Sequence, residues 1–149
     1  KGEGLHVDGD SIDVAGMRIT VCPWWDGPVS RAEVEQQLVA AEPPPGMPWV
    51  WVYHAPPEGP LSWTGKEFAG DAVLTGWIAR FAPRIVLSGH IHNAPFYPQG
   101  SWVHRFGPTW AFNPGRQIGG IPAVLEFDLD RQEVTWHSQD GSERLSLQA

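Results

Sequence analysis

The sequence predicts an α/β fold in which two packed sheets carry flanking helices. Two observations lead there. Up to residue 87 the middle of the chain reads strand, helix, strand, helix, strand. Beyond residue 100 the pattern becomes a succession of short strands, read as an antiparallel meander. Such a mixture fits sheets stacked on one another with helices outside.

Taken in order, residues 5–8, 11–14 and 17–22 alternate as strands do, separated by turns that contain glycine. Ser30 and Glu33 have the spacing of a capping box, which marks a helix start. Val34, Leu38 and Ala41 then share one helical face, and Pro43, Pro44 and Pro45 stop the helix. Residues 49–53 form a short apolar run suited to a strand buried on both faces. Leu74, Trp77, Ile78 and Phe81 mark a second helical face, ended by Pro83. Residues 84–87 form a second buried strand, and 102–106, 109–112, 123–128, 133–137 and 144–147 read as further strands. With no repeat and no long linker, residues 1–149 read as one structural unit.

The composition is that of a globular domain: 149 residues, 42% hydrophobic and 18% charged. No apolar run approaches the roughly 20 residues that span a bilayer, and the polar, Gly-rich start lacks a secretory signal. The expected location is the cytoplasm, with no membrane partner. The chain begins at Lys1 without an initiator Met, which fits an origin inside a longer polypeptide. A formal charge of −7 disfavours long nucleic acids without excluding a small phosphoester held at a metal. Cys22, the single cysteine, lies in an apolar run and reads as a buried structural thiol. Nine tryptophans read as packing residues, with an aromatic substrate platform as the alternative.

Each buried middle strand runs into histidine. Residues 49–53 lead to His54, and residues 84–87 lead through Ser88 and Gly89 to His90, Ile91 and His92. In α/β sheets ligands gather beyond the carboxyl ends of the strands, so two neighbouring strands would bring imidazoles to one edge. Imidazole suits zinc, iron, manganese and related ions, and Gly89 permits a tight turn and close approach. The alternative is that His90 and His92 are surface loop residues. His6, His104 and His137 read as strand residues facing solvent. Asn93 either orients a ligand or closes a turn. Arg116 either reaches a substrate phosphate or is solvated.

The order of apolar strand, His54 and x-Pro, then apolar strand and Gly89-His90-Ile91-His92, resembles the last two motifs of the calcineurin-like metallophosphoesterases. Asn113-Pro114-Gly115 resembles a further segment of that family, and the likeness runs over roughly residues 17–128. The resemblance implies the C-terminal half of an α/β/β/α sandwich. It also implies two divalent cations (manganese, iron or zinc), His54 and His90 on one and His92 on the other. The implied activity is hydrolysis of a phosphomonoester or phosphodiester, with the cations activating water. The family's Asp-x-His and Gly-Asn-His motifs are absent. Gly9-Asp10-Ser11-Ile12-Asp13 matches its Gly-Asp-x-x-Asp literally, but alternating residues around an Asp-Gly turn read better as a hairpin.

The site is therefore expected to need an N-terminal half or a partner chain, and the chain alone is expected to be inactive. That half is also expected to supply the strands beside residues 49–53 and 84–87. The alternatives are a catalytically inactive binding or scaffold protein of the same fold, and a structural half-domain whose histidines bind metal adventitiously.

Overall fold

The computed structural model describes residues 7–148. The strand pattern at residues 5–8 and His6 therefore lie partly or wholly outside the described residues, and 7–10 form a turn in which Asp10 N–H donates to Val7 O. A hairpin follows, β1 (Ser11–Val14) and β2 (Met17–Val21), closed by Ala15 and Gly16 at positive φ. Helix α1 (Arg31–Ala41) begins with the capping box: Ser30 Oγ accepts from Glu33 N–H, and the Glu33 carboxylate accepts from Ser30 N–H. Strand β3 (Trp49–Val52), helix α2 (Ala72–Phe81) and strand β4 (Ile85–Leu87) come next. Two further hairpin strands, β5 (Val103–Phe106) and β6 (Thr109–Phe112), precede β7 (Val124–Asp128), β8 (Glu133–Ser138) and β9 (Gly141–Ser146).

Among the described residues these strands form two sheets, a six-stranded one in the order β1-β2-β3-β4-β6-β5 and a three-stranded one in the order β7-β8-β9. Strands β2, β3, β4 and β6 run parallel. The meander expected past residue 100 holds only for β7 to β9. The β5–β6 hairpin joins the first sheet instead, because β6 pairs β4 and presents Ala111 to one side and Phe112 to the other. Nor are strands missing beside β3 and β4: β2 and β6 pair them from within this chain.

Alternation along the strands builds two cores. Trp49, Trp51, Val86 and Ala111 point to the helices, where they meet Val34 and Leu38 of α1 and Leu74, Trp77 and Ile78 of α2. Val50, Ile85 and Phe112 point to the other face and meet Val134 and Trp136 of β8 and Leu147. The second sheet covers this face only partly. Val52 stays 38% exposed, so β3 is not buried on both faces along its whole length. A cavity of about 780 Å³ lies there, bounded by the ends of β2, β3 and β4 and by Leu125 and Phe127 of β7. No helix among the described residues is long and apolar enough to cross a membrane.

Candidate metal centre

Because β3 and β4 are parallel neighbours, the loops at their carboxyl ends emerge at the same sheet edge. Tyr53 N–H continues the pairing to Leu87 O, and Gly89 N–H donates to His54 O at 3.1 Å. The two imidazoles meet: His54 Nε2 lies 2.9 Å from His90 Nδ1. Both residues are exposed and line the 780 Å³ cavity.

The backbone at His90 is held in an uncommon shape. Its φ is 61°, and Ile91 N–H closes on Gly89 O at 2.6 Å. A three-residue hydrogen-bonded turn with a positive central φ is the rare, strained form of the γ-turn. A non-glycine residue kept there needs surroundings that over-determine it. Asn113 supplies them. Fully buried, it donates from Nδ2 to Ile91 O at 2.8 Å and to Leu61 O at 2.9 Å, and its Oδ1 accepts from Gly115 N–H. Gly115 has φ 68°, and a Cβ there would lie 2.8 Å from His92 O and 2.7 Å from a Pro95 ring carbon. Arg116 N–H then donates to His92 O at 3.0 Å. The segment 113–116 thus clamps the histidine loop from below, a role the sequence did not disclose.

His92 is exposed, and among the described residues no group of three or more His, Cys, Asp or Glu is arranged to hold a metal. The structure brings His54 and His90 together, and His92 follows two residues on in the same loop. Asn93 O accepts from Phe96 N–H at 3.0 Å and so closes a turn, while its side chain donates to Thr64 O at 2.7 Å. The Arg116 side chain is exposed beside a separate cleft with Gln117 and Ile118. Asp13 is ion-paired with Arg18 at 2.7 Å on the β1–β2 hairpin, and the turn at 7–10 holds Asp10 through Val7 N–H. Of the other histidines, His104 lies half-buried in β5 against Phe106, and His137 bridges Glu126 and Ser142 across β7–β9.

Whether the pair suits a metal can be judged from its geometry. Two imidazole nitrogens about 2.0–2.1 Å from one tetrahedral ion lie roughly 3.4 Å apart. At the observed 2.9 Å the two nitrogens face each other in a hydrogen bond, so sharing one ion needs that bond to open by about 0.5 Å and both rings to turn toward the ion. Among the described residues the pair is not part of a group of three or more such donors.

A residue that sequence reasoning missed completes the surroundings. Trp24, two residues beyond Cys22 at the end of β2, sets its ring 4.7 Å from that of His54 and 5.4 Å from that of His90. The available signal was Pro23 closing a third parallel strand at the same edge. Cys22 lies nearby but is buried, and burial first, then the charge of Asp8, pushes its thiol far up, so it stays protonated.

No family model matches the chain, and no curated protein does. Solved structures match its fold. One superposes with a TM-score of 0.58 at 15% identity, over 95% of this chain and 54% of the other. The crystal structure of TT1561 of Thermus thermophilus superposes with a TM-score of 0.55 at 15% identity, over 95% of this chain and 59% of that one. The chain thus spans little more than half the length of these structures, and at this identity the likeness concerns the fold alone.

Proposed function

We propose that this chain contributes His54, His90 and His92 as metal donors to a metallophosphoesterase-type site that hydrolyses a small phosphoester. On this reading the chain is the C-terminal part of an α/β/β/α sandwich, and the remaining donors come from polypeptide outside it. The observation that carries the reading is the pair of parallel neighbouring strands that end in imidazoles 2.9 Å apart. The strained turn at His90, held by Asn113, supports it further, since such strain gathers at functional sites.

Bound divalent cations (manganese, iron or zinc) would polarise the phosphoryl oxygens and make a nucleophile available at neutral pH. This chain's own part is to present its imidazoles beyond the strand ends and to wall one side of the site with Trp24. The charge of −7 favours a small or short substrate over a long polymer.

Zinc titration by calorimetry tests the donor assignment. His54→Ala and His90→Ala should each weaken zinc binding at least tenfold or so, a loss of the order seen when even an outer partner is removed. His104→Ala should change little. Equal affinity in all variants would sink the assignment. Turnover of a nitrophenyl phosphodiester or monoester should be absent from the chain alone and appear when polypeptide carrying the remaining donors is supplied.

A binding or scaffold protein without turnover is the second reading. It is favoured by the lack of any three-donor cluster among the described residues. Metal binding without hydrolysis by the longer polypeptide would select it.

A further inference from the structure

Trp24 touches both histidines, yet nothing in its own loop explains why it stays there. Within residues 22–28 the backbone closes one turn, with Gly27 N–H donating to Trp24 O. Trp24 packs at the margin of the helix-side core, and the polar anchor is the next side chain. Trp25 Nε1–H donates at 2.8 Å to Asp71 Oδ2, and the same oxygen accepts from Tyr53 Oη–H at 2.7 Å. Asp71 Oδ1 meanwhile accepts from Val73 and Leu74 N–H and caps α2. Asp71 N–H donates to Pro56 O, two residues beyond His54.

One carboxylate therefore joins three segments: the loop carrying Trp24, the strand end carrying Tyr53 and His54, and the start of α2. We infer that Asp71 is a positioning residue for the histidine pair, holding Trp24 against His54 and His90 through Trp25 and fixing the approach to His54 through Tyr53. The inference rests on the metal-donor reading for its functional meaning, but the latch itself is a feature of the metal-free chain.

The two oxygens of Asp71 have separable duties. Asparagine is as good a helix cap as aspartate, so Asp71→Asn keeps the oxygen that caps α2. The other position becomes an NH2 group. An indole N–H is a donor only, so Trp25 loses its acceptor. A tyrosine hydroxyl can turn to accept instead, so Tyr53 keeps a partner. Asp71→Asn thus releases Trp25 while leaving the helix intact. Trp25→Phe removes the same hydrogen bond from the other side.

The readout is the ring-proton resonances of the histidines in metal-free protein. Trp24→Leu supplies the reference positions without the neighbouring indole. Asp71→Asn and Trp25→Phe should each move His54 and His90 toward those reference positions, while His104 and His137 stay unmoved and the thermal melt still shows a folded chain. Zinc affinity should fall in the same two variants. Unmoved His54 and His90 resonances in Asp71→Asn, with Trp24→Leu moving them, would overturn the latch. So would a shift of all the histidines together, which signals general loosening. If wild-type protein binds no zinc even with the remaining donors supplied, the metal-donor reading falls, while the resonance comparison still decides the latch.

Discussion

Asn113→Ala removes three hydrogen bonds at once. The carbonyls of Leu61 and Ile91 lose their donor, and Gly115 N–H loses its acceptor. Each buried group left unpaired costs about 1–3 kcal/mol. Water entering the space left by the amide offsets part of that sum, so the expected loss is about 3–5 kcal/mol, a large part of the 5–15 kcal/mol typical of a domain. At a urea dependence of about 2 kcal/mol per molar, the midpoint of unfolding should fall by roughly 1.5–2.5 M. Asn113→Asp separates hydrogen bonding from volume. It keeps the acceptor for Gly115 but, when ionised, sets a carboxylate oxygen against two carbonyl oxygens in a buried site. Its folded-state pKa should therefore rise above the ordinary value of about 3.9. The variant should be most stable below that value and lose stability as pH rises through the raised pKa. The strained turn at His90 should loosen with it, read as faster amide exchange at Ile91. A loss under about 1 kcal/mol in Asn113→Ala, or Asn113→Asp as stable as wild type at neutral pH, would refute the clamp.

Gly115→Ala should cost about 1–2 kcal/mol for the left-handed backbone alone and more for the contact with His92 O, without unfolding the sheets, as read by urea denaturation. Cys22 should resist iodoacetamide in the native state at pH 8 and react once urea unfolds the chain, because burial keeps the thiol protonated. Ser30→Ala should cost about 1 kcal/mol through loss of the α1 cap, measured by thermal melting. The Glu33 carboxyl in the same box is held below its ordinary pKa by the Ser30 hydroxyl first and the Ser30 N–H second. Its contribution is present above the unfolded-state pKa of about 4.3 and disappears as pH falls through the lower folded value, so the stability gap to Glu33→Ala should close on acidification.

The candidate site was legible in part. Strand ends followed by His54 and by Gly89-His90 are local patterns, and parallel pairing of β3 with β4 turns them into one edge. The backbone at His90 was not legible: its φ of 61° shapes the turn that leads to His92, and nothing in His-Ile-His announces it. Trp24 was hidden among nine tryptophans of equal chemical appeal. Asp71 gave no signal in the sequence, since its partners Trp25 and Tyr53 stand 46 and 18 residues away.

By itself the sequence determined the local elements: the capping box at Ser30 and Glu33, the buried faces of both helices, the turn at Ala15 and Gly16, and the histidines after apolar strands. These follow from side-chain period, caps and turn chemistry, which act over a few residues. Only the tertiary structure decided which strands share a sheet and what holds the site. The β5–β6 hairpin could have extended the meander by its own pattern; it pairs β4 because Ala111 and Phe112 there bury opposite faces against helices and second sheet. Likewise Asn113 reaches carbonyls 22 and 52 residues earlier in the chain. Strand pairing and buried amide bonds join distant residues, and their partners exist only once the layers have packed.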